Sequence, residues 1–181
     1  MKVIGRAYLQ LSKWARSGHV PTFDEYIEVG FDSAGMRFLA MLNFIALEDC
    51  DEIQTNEWFK SKPKFLHAFS AIFRLENDLC SYENDMRRGE VATGVNCYIK
   101  QHGVTKEVAV TKIKKMIKDY YQIAMEEFMT TKGVPRPVLV RCINMVRMVK
   151  MFYNEGNDGF TDPHGKLKDL ITSLFFHPLP L

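Results

Sequence analysis

Polar side chains in the segment NDLCSYENDMRRGE, residues 77–90, are spaced so that they could hold a metal ion. Asn77, Ser81 and Asp85 stand at every fourth position, so on an α-helix they fall within an arc of roughly 80° and rise about 12 Å. Arg74 lies on the same arc, one turn earlier. Amide, hydroxyl and carboxylate oxygens suit Mg²⁺ or Mn²⁺, and a guanidinium beside them suits phosphate. The spacing therefore indicates a divalent-metal site next to a phosphate-binding arginine.

A solvated helix face shows the same spacing, so spacing alone leaves this alternative open. Two observations favour the metal site. The flanking residues FSAIFRLENDLCSY are strongly apolar, which predicts that part of the helix is buried. Asn and Ser are also mediocre helix formers, and a purely solvated face would more readily use Glu and Lys.

Helices must position these residues, because apolar residues recur with a helical period along nearly the whole chain. Thr22 with Glu25 has the pattern of a capping box, and the small residues of Ser33-Ala34-Gly35 favour a bend. The sequence predicts helices over about 3–16, 23–31, 36–47, 51–60, 63–86, 92–101, 105–131, 135–152 and 166–176. The predicted architecture is an all-α bundle.

Composition limits the classes of function. A chain of 181 residues with 46% hydrophobic residues can form one domain with a sizeable core. Its net charge of +2 implies neither a nucleic acid nor a membrane as partner, and no apolar run is long enough to span a bilayer. The four cysteines are scattered without a C-x-x-C pair, which argues against a zinc site or a disulfide framework.

The stretch RLENDLCSYENDMRRGEVATGVNCYIKQHGVTKEVA resembles the second metal-binding motif of plant class I terpene synthases. The family pattern is Asn or Asp, Asp, two residues, Ser or Thr, three residues, Glu, and then an Arg-Gly stretch. The blocks VPTFDEYI, WFKSKPKFLHA and FYNEGNDGFTDPHGKLKDLITSLF also follow the family's order and spacing. The resemblance covers essentially all of residues 1–181 and implies the C-terminal part of the family's metal-binding helical bundle.

The resemblance implies roles for individual residues. Asn77, Ser81 and Asp85 would bind one Mg²⁺ of a three-metal cluster, and Arg74 would contact the substrate diphosphate. Substrate-facing and catalytic positions would also lie in a helix break and in a C-terminal loop with an aromatic wall. These positions are Ser33, Ala34 and Gly35 in the break, and Tyr153, Asp158 and Phe160 in the loop.

By the same resemblance, the expected activity is that of a carbon–oxygen lyase. Mg²⁺, or Mn²⁺ in its place, would assist the loss of diphosphate from geranyl or farnesyl diphosphate, and the carbocation would then cyclise or be quenched. The expected partner is a prenyl diphosphate, and a complete version is expected to be monomeric. The expected location is the cytoplasm, or a plastid if a transit peptide precedes Met1.

The sequence departs from the family pattern in two places. Asp85 stands where the family usually has Glu, so its carboxylate is one methylene shorter. No Asp-Asp-x-x-Asp motif occurs, and we interpret the cluster EDCDE, with Glu48, Asp49, Asp51 and Glu52, as a solvated helix junction. The family's N-terminal helical domain is also absent, so we expect a fragment of a synthase with an exposed apolar face. The alternative is a non-catalytic truncated helical protein with a remnant half-site.

Overall fold

The computed structural model of the chain describes residues 1–45, 52–154, 156–162 and 164–176. Within these ranges the chain forms ten α-helices and one two-stranded β-hairpin. The elements are α1 (Lys2–Ser17), α2 (Phe23–Ser33), α3 (Met36–Ile45), α4 (Glu52–Lys60), α5 (Lys64–Cys80), α6 (Tyr82–Arg88), α7 (Gly94–His102), α8 (Lys106–Thr130), α9 (Arg136–Phe152), β1 (Tyr153–Asn154), β2 (Asn157–Asp158) and α10 (Lys166–Phe176). The all-α prediction is confirmed.

Several helix boundaries follow directly from the sequence signals. Gly18 ends α1 in the left-handed conformation, with φ of 62°, which glycine adopts without a steric penalty. At the start of α2, the Thr22 hydroxyl accepts from the Glu25 N–H and the Glu25 carboxylate accepts from the Thr22 N–H. This reciprocal capping box is the predicted one. It fixes the start of a helix that carries residues to the site.

The bundle is built around α5, which is apolar on more than one side. Phe65, Leu66 and Ile72 of α5 belong to a core formed with α3, α4, α8 and α9. Ala71 and Leu75 of the same helix belong to a second core formed with α2, α7 and α8. Because α5 is held by both cores, the polar residues at its C-terminal end start from a fixed backbone.

The helix break between α2 and α3 lies where the small residues predict it. Helix α2 ends at Ser33, Ala34 caps it, and Gly35 has a φ of 69° before α3 begins at Met36. Left-handed backbone of this kind is readily adopted by glycine alone. The prediction of a bend at Ser33-Ala34-Gly35 is therefore confirmed.

The long helix predicted over 63–86 is divided at Ser81, a difference from the sequence prediction. Helix α5 ends at Cys80, Ser81 has φ of −87° and ψ of −7°, and α6 starts at Tyr82. Backbone hydrogen bonds still join Ser81 N–H to Asn77 O at 2.8 Å and Asp85 N–H to Ser81 O at 2.9 Å. The four-residue spacing is kept across the bend, so Asn77, Ser81 and Asp85 remain on one side.

The glycine-rich loop after α9 forms a small hairpin that the sequence did not predict. Strand β1 pairs antiparallel with β2, with Tyr153 opposite Asp158 and Asn154 opposite Asn157. Two predicted site residues, Tyr153 and Asp158, are thereby fixed beside each other.

Two further observations concern the surface. No helix in the described part of the chain is long and apolar enough to cross a membrane. Exposed apolar side chains occur on α3 and along α10; they include Leu39, Leu42, Leu170, Leu174 and Phe175. The acidic cluster of Glu48, Asp49, Asp51 and Glu52 falls outside the described side chains, so its interpretation as a solvated junction stays a prediction.

Candidate metal and diphosphate site

A cleft of about 560 Å³ brings together residues from α5, α6 and the hairpin. Arg74 and the predicted metal ligands Asn77, Ser81 and Asp85 border it. The loop residues Tyr153, Asp158 and Phe160 border it too. Residues that the sequence places up to 86 positions apart, from Arg74 to Phe160, thus face one space.

The three predicted metal ligands form a short chain of contacts. The Ser81 hydroxyl lies 2.8 Å from the backbone oxygen of Asn77 and 2.5 Å from Oδ2 of Asp85. Ser81 and Asp85 are both buried, with 2% and 7% of their surface exposed. The side-chain oxygens of Ser81 and Asp85 therefore lie next to each other, whereas Asn77 Oδ1 accepts from Arg74 Nη1 at 3.0 Å. Amide, hydroxyl and carboxylate oxygens are donors that suit a small hard cation.

Arg88 occupies the other oxygen of Asp85. Its Nη2 donates to Asp85 Oδ1 at 2.6 Å, and the Arg88 side chain is 53% exposed. A cation that reached Asp85 would replace this contact. In the described residues, no group of three or more His, Cys, Asp or Glu side chains could hold a metal ion. The mixed set of Asn77, Ser81 and Asp85 is therefore the candidate, and its chemistry fits Mg²⁺.

All three nitrogens of the Arg74 guanidinium donate hydrogen bonds. Nε donates to the Gly30 carbonyl at 3.3 Å, Nη2 donates to the Ser33 hydroxyl at 3.1 Å, and Nη1 donates to Asn77 Oδ1 at 3.0 Å. The side chain is 15% exposed. Ser33 does not border the cleft itself but reaches it through this hydrogen bond. Ala34 and Gly35 lie outside the cleft lining as well, although the break that they form follows directly after Ser33.

Asp78 is a buried polar residue that the sequence analysis did not single out. One oxygen, Oδ1, accepts from the Tyr26 hydroxyl at 2.7 Å and lies 3.6 Å from Arg74 Nη1. The other, Oδ2, accepts from the Gly94 N–H at 3.2 Å. Burial raises the pKa of Asp78 to about 6, although Arg74 and both hydrogen bonds act in the opposite direction. Its four-residue spacing from Arg74 was the sequence signal that could have identified it.

Aromatic rings form one wall of the cleft. Phe73 packs edge-on against Tyr153, with centroids 5.4 Å apart, and against Phe160 at 6.1 Å. Phe160 also lies 4.5 Å from Phe152. The buried Asp158 fixes the loop, since its Oδ1 accepts from the Phe160 N–H at 3.0 Å. Burial, reinforced by Asp158, raises the pKa of Tyr153, so its hydroxyl is neutral at physiological pH.

Comparison with known proteins identifies the family. The profile of the terpene synthase family, metal binding domain, matches residues 1–123. The chain belongs to the terpene synthase family. The family resemblance drawn from the motifs is thereby confirmed.

Two plant terpene synthases illustrate the similarity in sequence. The chain is 67% identical over 181 residues to Terpenoid synthase 22 of Arabidopsis thaliana and 58% identical over 180 residues to Terpenoid synthase 30 of the same plant. The aligned regions include 100% and 99% of this chain but only 30% of each relative. The chain thus spans about 30% of the length of these terpene synthases.

Solved terpene synthase structures share the fold. Isoprene synthase from grey poplar leaves, solved with three Mg²⁺ ions and dimethylallyl-S-thiolodiphosphate, matches with a TM-score of 0.82 and 25% identity. The match covers 98% of this chain and 34% of that one. Abietadiene synthase from Abies grandis matches with a TM-score of 0.84 over 99% of this chain and 23% of that one. At 24% identity, this second likeness concerns the fold alone.

Proposed function

We propose that the chain provides the diphosphate-binding arginine and one metal site of a Mg²⁺-dependent terpene synthase. The observation that carries this proposal is the shared cleft, in which Arg74 lies beside Asn77, Ser81 and Asp85. A fixed guanidinium next to a row of hard oxygen ligands suits a metal–diphosphate pair better than either ligand alone. The metal-binding domain of the family profile and the Mg²⁺ ions bound to isoprene synthase support the same assignment.

Arg74 would bind the diphosphate of the substrate. A guanidinium has five N–H donors, and the hydrogen bonds to Gly30, Ser33 and Asn77 use one donor each of Nε, Nη2 and Nη1. Because Nη1 also lies 3.6 Å from Asp78 Oδ1, the donor left for a diphosphate is the second N–H of Nη2. Because the side chain is already fixed, little conformational entropy is lost when a diphosphate binds.

Asn77, Ser81 and Asp85 would hold the Mg²⁺ ion, with Mn²⁺ as an alternative. When bound, the ion neutralises charge that develops on the leaving diphosphate. The residues of this chain would hold it in the cleft that Arg74 also borders. The shorter carboxylate of Asp85 accepts a hydrogen bond from the Ser81 hydroxyl at 2.5 Å, which keeps these two oxygens together.

The aromatic wall of Phe73, Tyr153 and Phe160 would stabilise the carbocation left after diphosphate departs. Ring faces attract cations, so these side chains suit a positively charged intermediate. The proposed substrate is geranyl or farnesyl diphosphate, and the cation cyclises or is quenched. The ligand of isoprene synthase, a prenyl thiolodiphosphate, supports a prenyl diphosphate as the substrate class.

The proposal is tested by binding and by product formation. Titration calorimetry would measure the affinity of the chain for inorganic diphosphate with and without Mg²⁺. Asn77→Ala and Ser81→Ala are expected to weaken the Mg²⁺-dependent affinity on the order of tenfold or more. Asn144→Ala, on the exposed side of α9, is the matched control. Wild-type affinity in both site variants would show the metal assignment to be wrong.

A second candidate function is favoured by one feature of the sequence. The 181 residues contain no Asp-Asp-x-x-Asp motif, which the family uses for its other metal ions. The chain could therefore bind Mg²⁺ and diphosphate without converting a substrate. Incubation with geranyl and farnesyl diphosphate, followed by gas chromatography of the extracted hydrocarbons, distinguishes a catalytic chain from one that only binds. Binding with no product would support the non-catalytic half-site.

A further inference from the structure

Asp78 lies next to the predicted metal ligand Asn77 but has different surroundings. It is 2% exposed, and its carboxylate is met by three donors from three helices. Tyr26 of α2 and Arg74 of α5 approach Oδ1, and the Gly94 N–H at the start of α7 approaches Oδ2. A buried carboxylate is stable only when it is paired in this way, so the three donors and the acid form one unit.

Gly94 shows how closely the carboxylate fits its surroundings. A Cβ atom at position 94 would lie 2.6 Å from Asp78 Oδ2, so any side chain there would force α7 or the carboxylate to shift. Glycine at this position lets the first turn of α7 approach the acid directly. The N-terminal end of a helix also favours a negative charge. The chain therefore holds the carboxylate in one place from the α7 side.

On the side of Asp78 opposite Gly94, the carboxylate faces Arg74. We call Asp78 and its three partners, Tyr26, Arg74 and Gly94, the inner network. The guanidinium contacts Gly30 and Ser33 of α2, and a Cβ at Gly30 would lie 3.2 Å from the Arg74 side chain. Asp78 supplies the negative charge on this side, with Oδ1 at 3.6 Å from Nη1. Tyr26 in turn fixes Oδ1 by a 2.7 Å hydrogen bond. The carboxylate oxygen that faces the guanidinium is thus itself held in place.

We propose that Asp78, held by Tyr26 and Gly94, is a positioning residue that aims the Arg74 guanidinium at the diphosphate. This inference rests on the proposed function, since it takes the diphosphate to be the ligand of Arg74. Asp78 touches neither metal nor substrate in this proposal. It acts through Arg74, and its loss therefore weakens diphosphate binding while leaving the affinity for Mg²⁺ alone unchanged.

The first test is a double-mutant cycle on the 181-residue chain. Asp78→Asn keeps the shape of the side chain but places an NH₂ group among three donors, so at least one contact is lost. Calorimetry with inorganic diphosphate and Mg²⁺ is expected to show a loss of affinity on the order of tenfold. In an Arg74→Ala background the same change is expected to cause no further loss. Asp119→Asn, an exposed acid on α8, is the charge-matched control.

Two outcomes of this cycle would overturn the proposal. One is an equal loss from Asp78→Asn with and without Arg74, because the acid would then act independently of the arginine. The other is an equal loss of affinity for Mg²⁺ alone, which indicates a general structural role. If Asp78→Asn does not fold, Tyr26→Phe removes only one hydroxyl from the network and is expected to weaken diphosphate binding roughly threefold by the same route.

A second measurement separates this inference from the proposed function. The ¹⁵N relaxation of the Arg74 Nε–H group reports the motion of the guanidinium with no ligand present. We expect a rigid group in the wild type and a mobile one in Asp78→Asn or Tyr26→Phe. A rigid Arg74 in these variants overturns the positioning role. A mobile Arg74 in a protein that never binds diphosphate supports positioning and shows that the proposed function is wrong.

Discussion

The two ends of the candidate site are built in different ways. At the inner end, the side chains of Arg74 and Asp78 are 15% and 2% exposed and are held by partners on α2 and α7. At the outer end, Asp85 pairs with Arg88, which is 53% exposed and lies three residues away on the same helix. The inner pair depends on the fold, whereas the outer pair depends on one turn of α6.

This difference indicates which part of the site moves when ligands bind. Removing a partner from the inner end leaves a buried charge unpaired, which is costly. The outer pair is partly exposed, and pairs of this kind contribute little to stability. A metal ion that displaces Arg88 from Asp85 therefore competes with a weak contact. On the proposed function, the inner end would be preformed for diphosphate, and the outer end would exchange an arginine for a metal.

The largest effect is expected from removing the inner cation. Arg74→Met keeps the apolar stem but leaves Asp78 without its charge partner, and should lower the free energy of unfolding by about 3 kcal/mol. Arg88→Met is the matched change at the outer end and should cost less than about 1 kcal/mol. Urea unfolding followed by circular dichroism measures both. Equal losses in the two variants would remove the distinction between the ends.

A smaller effect on stability is expected from crowding the inner network. Gly94→Ala places a methyl group where it meets Asp78 Oδ2 at 2.6 Å, so α7 or the acid must shift. The free energy of unfolding should fall by about 2 kcal/mol. Gly5→Ala in α1, where a Cβ meets nothing within 4 Å, should instead raise it by about 0.5 kcal/mol. Thermal unfolding of the two variants compares them, and a neutral Gly94→Ala contradicts the packing argument.

Removing the outer cation should favour the metal. Arg88→Gln frees Asp85 Oδ1 from its ion pair, and Mg²⁺ should bind about fivefold more tightly, as expected for the loss of an interaction of about 1 kcal/mol. Arg87→Gln is the control, because Arg87 contacts Glu83 and Asn84 rather than Asp85. Calorimetric titration with MgCl₂ gives the affinities. Unchanged or weaker binding in Arg88→Gln would show that Arg88 does not compete with the ion.

The smallest effect is expected from lengthening the outer carboxylate. Asp85→Glu adds the methylene that the family pattern usually has at this position, so the carboxylate reaches further from the Ser81 hydroxyl into the cleft. Mg²⁺ affinity should rise roughly threefold. Asp119→Glu, on the exposed side of α8, controls for the added methylene. Weaker binding in Asp85→Glu would mean that the bend at Ser81 has been shaped for the shorter acid.

Much of the fold followed from local sequence signals. The Thr22–Glu25 capping box and Gly35 set helix ends through capping and backbone conformation, and the structure has both of them where predicted. The division of α5 from α6 at Ser81 was missed, because a serine within a run of helical spacing carries no strong stop signal. The hairpin after α9 was missed too, since two-residue strands are too short to show alternation.

The candidate site was predictable where its residues share one helix. Asn77, Ser81 and Asp85 follow the helical repeat, so their proximity could be expected from the sequence. Asp78 fills the second position of the family pattern and follows Arg74 by four residues, but the sequence analysis assigned it no role. Its contacts with Tyr26 and Gly94 could not be predicted, because these partners are 52 and 16 positions away and only packing brings them together. Arg88 lies within the quoted motif, three residues after Asp85 on the same helix, so its ion pair could have been predicted from the spacing.

The distance along the chain between the partners of Asp78 also affects when the site forms. Tyr26 and Asp78 are separated by 52 positions, and Ser33 and Arg74 by 41, so the inner contacts close long loops. Loop closure costs chain entropy before any contact offsets it, which makes such contacts late events in folding. The Asp85–Arg88 pair needs only one helical turn and can form early. During synthesis, α2 is made before α5. The hydrogen bond from Tyr26 to Asp78 therefore cannot form until the ribosome has added about fifty more residues, at roughly 5–20 residues per second.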